Sequence, residues 1–191
     1  MLTFLDFFII FIVMIIVIIY VRNLYAEVAV VKSTIDQRNY VVRKLHDKQK
    51  AADMLADINR DLQRLVKHLV AKYPEKESIR LLFENFNPDN ISEGSAKSGY
   101  TSYSVNKGEK IILCIRQKDA IDSFVDKNVV MYVAVHELAH LATDSIGHDQ
   151  KFWDNFKFIL QEAVEIGLYR KVDFAANPVS YCGIQITSSV I

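Results

Sequence analysis

The run His136-Glu137-Leu138-Ala139-His140 restricts the fold of this chain more than any other stretch. On a helix, residues four apart share a face. His136 and His140 can then grip one ion together, with Glu137 beside them to take a proton from a water held there. The surrounding residues decide where such a helix lies. Val129, Val133, His136 and His140 fall along one line, while Val130, Ala134, Leu138, Leu141 and Ala142 fill the other sides. A helix apolar all round is a buried helix. Unpaired polar groups inside a core cost several kcal/mol, so two imidazoles and a carboxylate there need partners, which a metal ion supplies. Asp126 is placed to cap this helix, which is expected to run from Lys127 to about Thr143.

A catalytic zinc site has three protein ligands and one open position, so a third ligand must come from outside the motif. His148 is favoured, because Gly147 lets the chain turn back after the helix. Glu162 is the rival, and Asp144 is better suited to capping the helix end or orienting a ligand. Asp149 is expected to cap a further helix, from Gln150 to about Leu168, that buries Phe152, Phe156, Ile159, Ala163 and Ile166 and carries Glu162 at its flank. Tyr181 and Tyr103 are candidates to donate to an oxyanion, with packing as the simpler role. Cys182 reads as a structural cysteine.

The N-terminus differs in kind. Phe7 to Val21 is fifteen residues without a charge. With the preceding residues it makes about 30 Å of helix, enough to span a hydrocarbon core. A cleaved signal peptide wants a basic residue before the apolar run and a small-residue site after it. This chain has neither, so a retained anchor over residues 1–22 is expected. Residues 22–50 carry seven Lys/Arg (Arg22, Lys32, Arg38, Arg43, Lys44, Lys48 and Lys50), and only Asp6 and the amino terminus precede the run. The positive-inside rule then leaves the rest of the chain, residues 27–191, on the cytosolic side of a single-pass membrane protein.

Between anchor and motif, Glu27–Ser33 and Asn39–Lys44 are valine-rich runs either side of a turn, and read as a hairpin. Asp47 is a candidate cap for a helix from Lys48 to Lys72, whose stripe of Leu55, Ile58, Leu62, Leu65, Val66, Leu69 and Tyr73 is core-forming. Pro74 ends it. Ser78–Phe86 suits a short helix, and Asn87–Gly99 is a loop by composition. Tyr100–Val105 and Lys110–Arg116 read as strands joined across Asn106-Lys107-Gly108-Glu109. Ile111–Ile115 is the candidate exposed edge for holding an extended substrate, with an internal strand as the alternative.

With 191 residues, the chain suits one domain behind the anchor. Its 23 basic and 23 acidic residues balance, which gives no strong field for nucleic acid. The two cysteines, Cys114 and Cys182, are 68 residues apart and form no disulfide framework, which fits a reducing compartment.

The block HELAHLATDSIGHDQKFW (136–153) resembles the WLM family of zinc metallopeptidases and its SprT-like relatives. FNPDNISEG (86–94), TSYSVNKGEKI (101–111) and PVSYCGIQI (178–186) are similar to WLM-like proteins of large DNA viruses. The resemblance covers roughly residues 27–188. It implies a compact α+β, zincin-like domain with a small sheet and a buried motif helix. It also implies zinc on His136, His140 and His148, Glu137 as general base, and protein or peptide substrates. Cellular members of the family cleave proteins crosslinked to DNA, but this neutral, membrane-anchored chain shows no basic stripe for that role. The expectation is a membrane-anchored zinc endopeptidase, in a virion or host membrane. The alternative is a non-catalytic membrane or virion protein with a structural zinc site.

Overall fold

Helices form where the 3.6-residue stripes fall. The computed structural model describes residues 4–24, 27–96 and 98–191. Helix α1 (Phe4–Leu24) covers the N-terminal apolar run. Its Phe4–Val21 window has a mean hydropathy of 3.1, and none of it is buried against the rest of the chain. That length and composition allow a membrane span, and a signal sequence shares them. Residues 1–3 of the expected anchor lie outside the described residues.

The hairpin after it pairs β1 (Val28–Lys32) with β2 (Asn39–Arg43) in antiparallel register. Helix α2 (Lys48–Lys72) has the expected bounds, and Leu55, Ile58, Leu62, Leu65, Val66 and Leu69 are all buried. Asp47 makes no side-chain cap bond to it. Its carboxylate instead takes a two-pronged pair of bonds from Arg116, at 2.7 and 2.8 Å. Helix α3 (Glu77–Asn85) follows Pro74.

The segment expected to be all loop contains a strand, β3 (Ile91–Glu93), too short to show any alternation. It pairs in parallel with β5 (Lys110–Leu113), and β4 (Tyr103–Val105) pairs antiparallel on the other side of β5. The order β3-β5-β4 makes β5 the centre of its sheet. The expected substrate edge at Ile111–Ile115 is therefore wrong: both flanks of β5 are occupied, and Ile111, Leu113 and Ile115 are fully buried. The edge beside the motif is β4.

Helix α4 (Lys127–Leu141) carries the motif and packs against α2, α3 and α5 (Gln150–Glu165). Asp126 and Asp149 cap them as expected, accepting from the amides of Asn128 and Phe152. The chain closes with a hairpin, β6 (Val179–Tyr181) and β7 (Ile184–Ile186), turning through Cys182 and Gly183 at φ 51° and 89°.

A disulfide joins Cys114 to Cys182, with their Cα atoms 6.4 Å apart. This overturns the expectation that two cysteines 68 residues apart form no disulfide framework. Separation along the chain says nothing about adjacency in space, and the last hairpin folds back onto the end of β5. Around the bridge, Cys114 N donates to Ser102 Oγ (2.9 Å), and Ser102 Oγ meets the Tyr181 hydroxyl at 2.6 Å. Within the described residues the molecule is an α+β protein of five α-helices and small sheets, with its core between α2, α4, α5 and the three-stranded sheet.

Candidate metal centre

Two elements and the spacer between them bring the histidines together. His136 and His140 project from one face of α4, their ring centroids 5.0 Å apart. After the helix the chain bends through Gly147, whose φ of +90° is a conformation that side-chain-bearing residues rarely adopt. The bend returns His148 to the same point. Its Nε2 lies 3.1 Å from His136 Nε2, and one ligand nitrogen from each of the three rings lies within 4.8 Å of the others. Phe152, in the first turn of α5, packs its ring against all three, at 4.9, 4.4 and 4.6 Å. Trp153 stacks on His148 at 5.6 Å.

Charge is controlled by burial. His136 is pushed down to about 3 by desolvation, helped by the other two imidazoles. His140 is pushed down to about 4, again first by burial and then by His148 and Lys107. Both rings are therefore neutral at ordinary pH, as metal ligands must be. Glu137 moves the other way. Burial pushes it up to about 7, although hydrogen bonds from Ser104 oppose the shift. Among the described residues its Oε2 is buried without a hydrogen-bond partner, a cost that a water or ion in the adjoining cleft removes. Three imidazole nitrogen donors beside this carboxylate oxygen suit a borderline-soft divalent ion of the zinc type. The three rings and Glu137 line an open cleft of about 550 Å³, together with Ser102 and with Tyr103 and Ser104 of the β4 edge.

The other residues singled out by sequence lie elsewhere. Glu162 is turned away from the triad and bound to α2. It accepts from Tyr73 Oη (2.7 Å) and Lys72 Nζ (3.1 Å) and sits 2.8 Å from His68 Nε2. Asp144 pairs with Lys151 at 2.8 Å. Tyr181 is buried behind the edge strand, bonded to Ser102. Tyr103 borders the cleft, with its ring 5.6 Å from that of Tyr100. Cys182 is committed to the disulfide. Sequence reasoning missed Ser104 and Lys107. Lys107 is carried by a turn with positive φ at Asn106, Lys107 and Gly108, and the Asn-Lys-Gly string was its one visible signal.

A family model for the WLM domain matches residues 34–177. An uncharacterized protein of Acanthamoeba polyphaga mimivirus is 31% identical over 170 residues, covering 87% of this chain and 86% of that protein. An uncharacterized protein of Invertebrate iridescent virus 6 is 39% identical over 80 residues, 41% of this chain and 44% of that protein. Among solved structures, Wss1 from Saccharomyces cerevisiae superposes with a TM-score of 0.47 at 22% identity, over 63% of this chain and 82% of that one. By the extent of the domain match and of the mimivirus relative, the chain belongs to the WLM domain family, with relatives in large DNA viruses.

Proposed function

We propose that this chain is a zinc-dependent endopeptidase, with residues 1–22 as a membrane anchor and residues 27–191 as the peptidase domain. Membership of the WLM family supports a metalloprotease-like function and protein substrates. The observation that carries the reading is local: three imidazoles converge beside a buried carboxylate oxygen that has no partner among the described residues, in one open cleft. His136, His140 and His148 would hold the ion. When bound, zinc lowers the pKa of water to about 7 and polarises a carbonyl oxygen.

The chain's own residues do the rest. Glu137, raised by burial to about 7, is poised to accept the proton of the attacking water and return it to the leaving amine. Ser104 orients that carboxylate. Among the described residues strand β4 pairs only with β5, and it borders the cleft, so its other side is available to an extended peptide through main-chain hydrogen bonds. Phe152 backs all three imidazoles and keeps water from the side opposite the cleft. The basic flank after α1 supports a cytosolic domain, and the viral relatives favour a virion or host membrane.

Purified full-length protein and a Glu137→Gln variant test the reading in proteolysis assays, self-cleavage included. The variant should keep its metal and lose about 10²- to 10⁴-fold in rate. Equal behaviour of the two proteins in every assay would leave a structural metal site and no peptidase.

A further inference from the structure

The motif helix ends where the third histidine begins its approach, and the carbonyls at that end have no partners within the helix. Side chains from three other places supply them. Asn85 of α3 donates to Leu141 O at 3.0 Å. Asn155 of α5 donates to Ala142 O at 3.2 Å and to Thr143 Oγ1 at 2.9 Å, and that hydroxyl donates to Ala139 O. Past the helix, Lys107 Nζ donates to both Thr143 O and Ser145 O at 2.5 Å. A cation at this point also complements the negative end of the helix.

Lys107 stands on a rigid base. Its turn has φ of 45°, 56° and 109° at Asn106, Lys107 and Gly108. A Cβ at Gly108 would fall 2.2 Å from Asn85 O, so the turn is seated directly on α3. The segment it grips, residues 142–149, has no regular secondary structure and delivers His148, the one exposed member of the triad. His136 and His140 need no such help, because α4 fixes them.

We propose that Lys107 is a positioning residue for the metal centre: its ammonium braces the carbonyls of Thr143 and Ser145 and so sets where His148 meets His136 and His140. The proposal rests on the metal-site reading above, and the test separates the two.

The chain's single tryptophan, Trp153, stacks on His148, so its fluorescence reports the arrival of that ring. Full-length protein in detergent is titrated with Zn²⁺ against a chromophoric chelator while tryptophan fluorescence is followed. Lys107→Met should weaken Zn²⁺ binding about 10- to 100-fold, the usual effect of removing a residue that orients a ligand, and should blunt the fluorescence change. In a His148→Ala background the same substitution should leave the affinity unchanged, since there is no third ligand left to place. Unaltered affinity in Lys107→Met, equal losses in the two backgrounds, or loss of the circular-dichroism spectrum of the folded chain would each overturn the proposal. Wild type that binds no Zn²⁺ would overturn the metal site and the brace together.

Discussion

At the scale of residues, His148 and Glu162 answer different needs. Both were open as third ligand from sequence: His148 because the chain can turn back at Gly147, Glu162 because some zinc peptidases take a glutamate about twenty residues beyond the second histidine. What separates them is the far side of α5, where His68 and Lys72 of α2 and Tyr73 just past its end gather round the Glu162 carboxylate and, against the effect of burial, hold it below its ordinary value. No spacing rule reveals that α2 and its end would present those three groups there. His148→Ala should lower the zinc content of purified protein well below one ion per chain. Glu162→Gln should leave zinc content unchanged but lower the melting temperature, because it loosens the tie between α5 and α2. Metal analysis alongside thermal melts checks both. Zinc lost from Glu162→Gln with melting unaltered would reverse the assignment.

At the scale of elements, the helices were legible and the sheet was only partly so. The α2 stripe and the caps at Asp126 and Asp149 were visible because helical periodicity and capping chemistry are local. Strand β3 was not, since three residues carry no periodicity and parallel pairing with β5 is a long-range event. The same blindness put an exposed edge on β5, which is the central strand. Asp47 shows a tertiary partner overriding a local role. It sits at a helix start but serves Arg116, which is itself buried and bonded to Glu93 at 2.8 Å. The Arg116 guanidinium holds the Asp47 carboxyl below its ordinary value of 3.8. A lowered carboxyl stabilises the fold above that value and loses its contribution as pH falls through the folded-state value. Asp47→Asn should therefore cost roughly 1–3 kcal/mol at neutral pH. The gap to wild type should close as pH drops below 3.8. Urea unfolding across pH checks this; a gap of constant size would mean that Arg116 does not govern Asp47.

At the scale of the molecule, two features bear on where the domain resides. The Lys/Arg excess after α1 is the basis for the proposed cytosolic placement, whereas the Cys114–Cys182 bridge needs an oxidant to form. A glycosylation acceptor appended to the C-terminus distinguishes the two. By the charge rule the tag stays unmodified; modification in cells would place the domain on the oxidising side that the bridge favours. The disulfide was invisible in the sequence for the reason that β3 was, namely that the fold alone brings its partners together. The motif residues were legible because their chemistry lies within one turn of helix. The residues that complete the cleft, Ser104 and Lys107, come from a distant hairpin. Zinc K-edge absorption on the full-length protein tests the metal centre most directly. Three imidazole nitrogens at about 2.0–2.1 Å with one oxygen are expected. A folded chain without zinc, or a shell holding sulfur or fewer than three imidazoles, would contradict the site built from His136, His140 and His148.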